Sequence, residues 1–317
     1  MELKRVRLIL TVLLLGTITA ACGKQPTLSE VQTATKKVLL IGLDGIRVDI
    51  LAKAHTPHID ALIAQGAYSD NAYTRMPTKS GPGWSSIVTG VWADKLGVNF
   101  YDSNDLSQYD FATYPDFLTR IERANPAINT LAIVVWPPLG NTTDGGPALS
   151  DAIDVKVNIN GEGVGYERAD SLAVVAAVAQ LANADPDAAF VSFGNTDILG
   201  HDKGSLSPEY QASIEVADKQ VGALVAAVKQ RPTYTEEDWL ILLSTDHGRT
   251  DDGSHGHDSA KEHRVYYLAS GPSSTKGTPA TTATNVDFVP TALAHLGVAI
   301  DPAWGLDGKV VGLKVEK

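Results

Sequence analysis

Five near-continuous aliphatic runs limit what this chain can fold into. Residues 38–43 (VLLIGL), 130–135 (TLAIVV), 189–193 (AFVSF), 239–243 (WLILL) and 265–268 (VYYL) are apolar at consecutive positions, not at alternate ones. A strand with one wet face alternates, whereas a strand covered on both faces does not, so these runs predict a mainly parallel sheet between two layers. Helical patterns fill the intervals. Ile59, Leu62 and Ile63 keep helical spacing within 57–65, and Gly66 makes a C-cap. Residues 167–182 and 209–229 are rich in Ala, Val and Leu, and 286–296 ends against Gly297. Strands alternating with helices give an α/β three-layer sandwich. The Gly-, Asn- and Asp-rich stretch 139–164 reads as loop or insertion. No repeat or Pro-rich linker divides the body, so one domain is expected over 37–317.

In such sheets functional groups gather at the carboxyl ends of strands, and polar clusters stand there in this chain. The first strand ends in Leu43-Asp44-Gly45, which is either a turn or a carboxylate placed to reach a metal. Next comes PTKSGPGWSSIVTG at 77–90, a small-residue loop leading into a helix expected over 84–89. Ser80 would lie near that helix N-terminus, as an N-cap or as a nucleophile favoured by free N–H groups. The third run continues into Asp197-Ile198-Leu199-Gly200-His201, where a helical turn would bring Asp and His onto one cation. The fourth ends in Ser244-Thr245-Asp246-His247-Gly248, followed by Gly253-Ser254-His255-Gly256-His257-Asp258. Four of the eight histidines (His247, His255, His257, His263) fall in this stretch amid Gly and Asp, a composition that favours metal ligation over core packing. His55, His58 and His295 read as helix-surface or capping residues. Trp84, Trp92, Trp136 and Trp239 read as core or rim.

The net charge of −11 argues against a nucleic acid duplex held along a basic groove, which needs clustered Lys and Arg. Residues 1–21 read as an export signal: Lys4, Arg5 and Arg7, then LILTVLLLG, then small residues. Thr19-Ala20-Ala21-Cys22 resembles a bacterial lipobox, so Cys22, the single cysteine, is the expected lipidation site. Residues 22–36 would tether the domain to a membrane. The chain would then be an exported lipoprotein of the periplasm or cell envelope, and Gly23 leans towards the outer membrane.

With LIGLDG, PTKSGPGWSSIVTG, DILGH, STDHG and GSHGHD in that order, the chain resembles the alkaline phosphatase superfamily. Within it, the nearest pattern is the nucleotide pyrophosphatase/phosphodiesterase branch, over about 38–313. TPHIDALIAQG and DFVPTALAHLG match helices common there. The resemblance implies an alkaline-phosphatase-like fold and two divalent ions, expected to be zinc. One would be held by Asp197, His201 and His255, the other by Asp44, Asp246 and His247, with Ser80 also against the metal. Ser80 aligns with the nucleophile, usually threonine, two residues before the shared Pro82. His255 is preferred to His257 because it opens the His-Gly-x-Asp pattern. Two ions about 4 Å apart can clamp both attacking and leaving oxygens, so a phosphoseryl intermediate needs no protein base. Departures bear on the substrate, a small-molecule phosphate ester. The branch carries Asn-His after the proline, and that Asn contacts phosphate; here Gly83 stands there, leaving backbone N–H groups or Lys79 to replace it. Arg249 is the candidate for the phosphate-gripping arginine of the monoesterases.

Phosphodiester cleavage is therefore the leading expectation, with a phosphomonoesterase as its alternative. Two remoter readings are a sulfatase and a non-catalytic metal-binding lipoprotein. A sulfatase needs arginine where Trp84 stands and takes one calcium on Asp and Asn ligands. A decayed site would not need all six ligands and a hydroxyl.

Overall fold

The computed structural model describes residues 34–98, 104–141 and 146–315. The expected export signal, Cys22 and most of the tether lie outside the described residues. Seven strands form one sheet: β1 Thr35–Leu43, β2 Ala67–Tyr73, β3 Thr130–Val134, β4 Val155–Asn158, β5 Ala188–Phe193, β6 Glu237–Ser244 and β7 Arg264–Ser270. Their order is β2-β7-β6-β1-β5-β3-β4. β1 lies between β5 and β6, parallel to both, and β3 and β4 continue the parallel part.

The consecutive apolar runs are explained by two cores. Along β1, Val38 and Leu40 enter one buried cluster, while Leu39, Ile41 and Leu43 enter the other. The helices Tyr166–Asn183 and Pro208–Lys229 cover the second face, and Phe288–His295 packs on the first. Among the described residues no helix is long and apolar enough to cross a membrane.

Several boundaries differ from expectation, each for a local reason. β1 starts at Thr35, paired with Glu237, so the sheet takes in two residues assigned to the tether. The stretch 139–164 is not plain loop; it holds β4 and short helices at Pro137–Gly140 and Gly161–Val164. β7 is antiparallel to β6, and the connection between them carries only the single turn Ala260–His263 in place of a crossover helix. The helix expected over 84–89 starts at Ser80 and runs Ser80–Thr89 to a left-handed Gly90 cap. Proline fits within a first helical turn, so Gly81, Pro82 and Gly83 do not break it. His295 is buried rather than on the surface, its Nε2 2.9 Å from Asp238 O.

Candidate metal centre and nucleophile

The carboxyl ends of β1, β5 and β6 lie side by side, and each delivers an aspartate. Asp44 follows β1 directly, its N–H donating to Phe193 O at 3.0 Å. Gly45 (φ 63°) turns the chain so that its N–H donates to Asp246 Oδ1 at 3.0 Å. Asp197 and His201 lie one turn apart on the helix Asn195–Lys203, with His201 Nε2 3.5 Å from Asp197 Oδ2.

Two buried carboxylate oxygens at this end of the sheet have no hydrogen-bond partner, Asp44 Oδ1 and Asp246 Oδ2. Both face His247 Nε2, at 3.7 and 3.3 Å. His247 Nδ1 donates to Gly248 O at 3.0 Å, which leaves Nε2 as a lone pair. Buried oxygens without a donor, converging with an imidazole lone pair, fit a cation and little else. Beside them, the donors of Asp197, His247 and His255 lie within 4.8 Å of one another. His255 Nδ1 contacts Thr78 O at 2.9 Å, and its Nε2 stands 2.9 Å from His201 Nε2. All six expected ligands thus meet in one place. His247 reaches both groups, stacked on His255 with centroids 3.8 Å apart, where the sequence reading had assigned it to one.

Ser80 opens its helix nearly buried, with Oγ 3.4 Å from His247 Nε2. The N–H of Gly81 donates to Asn104 Oδ1 at 2.9 Å. Gly83 can offer neither a side chain nor its N–H. An added Cβ would stand 2.8 Å from the Asp246 backbone, and the N–H donates to Lys79 O. Arg249 is fully buried and donates to Asp197 and to Gly253 O, so it supports the ligand shell. Lys79 lies at the rim, its stem passing over Gly256. Exposed His257 and more buried His263 stay outside, near Glu262 and Asp258.

Two roles were missed by sequence reasoning. Trp84 Nε1 donates to Asp44 Oδ2 at 2.9 Å, which turns the other oxygen towards His247. Gly42 makes room for this ring, since a Cβ there would stand 2.4 Å from it. Thr78 joins the nucleophile turn to the histidine loop: its Oγ1 donates to His257 O and accepts from Gly256 N–H. A glycine two residues before the Asp44 strand end was the one visible signal for the first. Nothing in the sequence marked the second.

Electrostatics agree with a cation-binding role. Burial, then the nearby Asp246 and Asp197, hold the Asp44 carboxyl well above the ordinary carboxylate value. Burial pushes Asp246 up to about 7. Burial lowers His247 and His201, and takes His255 down to about 4, so these imidazoles are neutral at pH 7. The metal-free protein therefore has a definite pH signature. Histidines with lowered pKa add stability as pH rises through about 6.5, an effect that is nearly complete by about pH 7 to 7.5, where they are neutral in both states. Carboxyls with raised pKa lose stability as pH rises through their folded value. Above about pH 7 the second effect dominates, so chelator-treated protein should become less stable from about pH 7 to about pH 8. Urea unfolding at both pH values tests this, and equal or greater stability at the higher pH would contradict it.

Comparison with known proteins places this geometry in context. A family model described as type I phosphodiesterase / nucleotide pyrophosphatase matches residues 38–257. The ectonucleotide pyrophosphatase/phosphodiesterase family member 5 of Homo sapiens is 26% identical over 251 residues, covering 75% of this chain and 50% of that protein. The bis(5'-adenosyl)-triphosphatase ENPP4 of Homo sapiens is 26% identical over 252 residues, 73% of this chain and 52% of its own. The chain spans about half the length of these curated relatives. Murine ectonucleotide pyrophosphatase/phosphodiesterase 5, solved as an inactive variant in complex with AMP, superposes with a TM-score of 0.64 at 18% identity, over 83% of this chain and 96% of that one. A 2-O GAG sulfatase reaches 0.65 at 14% identity, over 87% and 73%. These two likenesses are of fold, and the fold is alkaline-phosphatase-like.

Proposed function

The chain belongs to the type I phosphodiesterase / nucleotide pyrophosphatase family, and from that premise we propose that it is a two-metal hydrolase of phosphoric diesters with Ser80 as nucleophile. The observation that carries this is the convergence of Ser80 Oγ with the orphaned oxygens of Asp44 and Asp246 and the nitrogen of His247. Asp44, Asp246 and His247 would hold one ion; Asp197, His201 and His255 would hold the other. The mixed carboxylate and imidazole donors suit zinc. Bound there, the ions supply positive charge that favours the serine alkoxide and the departing oxygen.

The rest is done by the chain itself. Ser80 Oγ forms a bond to phosphorus as the ester oxygen on the opposite side leaves. Water then attacks the same phosphorus, the Oγ–P bond breaks, and the serine is restored. Burial at a helix start fixes Oγ for in-line attack at the positive end of the helix dipole. Lys79 is the side chain we assign to the phosphate at the rim.

Nucleotide substrates are favoured by two likenesses: to a bis(5'-adenosyl)-triphosphatase, and to a similar fold solved with AMP. Phosphomonoester hydrolysis is the second reading, favoured by the lack of a side chain at Gly83. Rates on p-nitrophenyl phosphate and its bis-ester with zinc-loaded protein separate the two. The bis-ester is expected to turn over faster by about tenfold or more, and exclusive monoester turnover would overturn the diesterase reading. The sulfatase reading is disfavoured by Trp84 and by three imidazoles in the site. We also propose export and lipid anchoring at Cys22 in the cell envelope; incorporation of labelled palmitate should vanish in Cys22→Ala.

A further inference from the structure

We infer that the two cation positions are unequal and fill in order, the Asp44–Asp246–His247 position first and the Asp197–His201–His255 position second, with Arg249 setting the difference. The inference rests on the two-metal reading above and concerns charge already present in the ligand shells.

At the first position two carboxylates are wholly buried, and their partners are neutral. Asp44 accepts from the indole N–H of Trp84, and Asp246 accepts from the backbone N–H of Gly45. Each keeps one oxygen without a partner. A dication that displaces their protons there meets two carboxylates, neither of them hydrogen-bonded to a cation. At the second position there is one carboxylate, and Arg249 already donates to its Oδ1. A guanidinium does not lose its charge in a protein. An ion binding Asp197 must therefore share that carboxylate with a fixed positive charge.

The placement of Arg249 is built into the chain. A Cβ on Gly200 would stand 2.6 Å from its Nε, and a Cβ on Gly45 would stand 2.5 Å from one terminal nitrogen. Two glycines thus open the space the side chain fills, and Gly253 O accepts from Nε and the other terminal nitrogen at 3.0 and 2.6 Å. Two imidazoles at the second position favour zinc more than one does. His201, however, has 47% of its side chain exposed, so water competes there. Where the shell is buried, net charge outweighs donor type.

The test is calorimetric titration of the metal-free full chain with zinc ions. The first equivalent is expected to bind about tenfold or more tighter than the second. Asp246→Asn should remove the tight event and His201→Ala only the weak one. Arg249→Met, which keeps the stem and drops the charge, should tighten the weak event by about tenfold. Arg249→Lys should leave the gap in place. Equal affinities, loss of the tight event in His201→Ala, or an unchanged gap in Arg249→Met would overturn the inference. If Arg249→Met does not fold, the Asp246→Asn and His201→Ala titrations still decide the order. A wild-type chain that binds no zinc would instead sink the two-metal reading, whereas two ions in the opposite order would sink only this one.

Discussion

Ser80→Ala is expected to lower phosphodiester turnover by roughly a thousandfold or more, while the protein still binds two zinc ions. The two halves of that result come from different features. Ser80 Oγ stands 3.4 Å from His247 Nε2, beside the ligand cluster, and no other hydroxyl is assigned to attack. Yet the oxygens and nitrogens that would hold the ions belong to Asp44, Asp197, His201, Asp246, His247 and His255, and alanine disturbs none of them. The residue begins a helix whose first turn already accommodates glycine and proline, so removing one oxygen should leave the backbone in place. Zinc content by atomic emission, alongside rates, reads both halves. Near wild-type turnover would mean another nucleophile, and loss of zinc would mean that Ser80 acts chiefly as a ligand.

Asp246→Asn should have an effect of similar size on activity and the opposite effect on the stability of the metal-free protein. Asparagine keeps the shape and can still accept from Gly45 N–H through its oxygen. It then presents an amide where Asp246 Oδ2 now points at His247 without a partner. The tightest cation position is lost, and turnover should fall by roughly a thousandfold. Without zinc, the wild-type chain must ionise a fully buried carboxyl whose pKa is pushed up to about 7. A neutral amide escapes that cost. Metal-free Asp246→Asn should therefore be more stable than metal-free wild type at about pH 8, and part of the decline above about pH 7 should disappear. A variant equally or less stable there would show that the buried charge is not a source of strain.

How much of this could be read from residues alone depended on how local each signal was. β1, β3, β5 and β6 were legible because burial on both faces writes an unbroken aliphatic run. β2 (AYSDNAY) is an edge strand interrupted by Ser69, Asp70 and Asn71, and β4 (VKVN) is a half-buried edge of four residues, so neither run stands out. Asp44, Asp197 and Asp246 could be placed because each follows a strand whose end is marked. The start of the Ser80 helix was hidden by Gly81, Pro82 and Gly83, which are loop formers in general and first-turn residues here. The roles of Trp84, Thr78 and Arg249 were beyond local reading. Their partners lie 40, 179 and 52 positions away. Arg249 in particular was expected at the phosphate, yet the fold turns it behind Asp197, into space left by Gly45 and Gly200.

The most direct test of the account is to acid-quench the zinc-loaded protein during turnover of a nucleotide phosphodiester and weigh the peptide that contains Ser80. Attack by Ser80 predicts a mass increase equal to the retained phosphoryl half of the substrate, on that serine alone and absent without zinc. An unmodified Ser80 peptide, with the adduct on another residue or with Ser80→Ala still turning over, would contradict it.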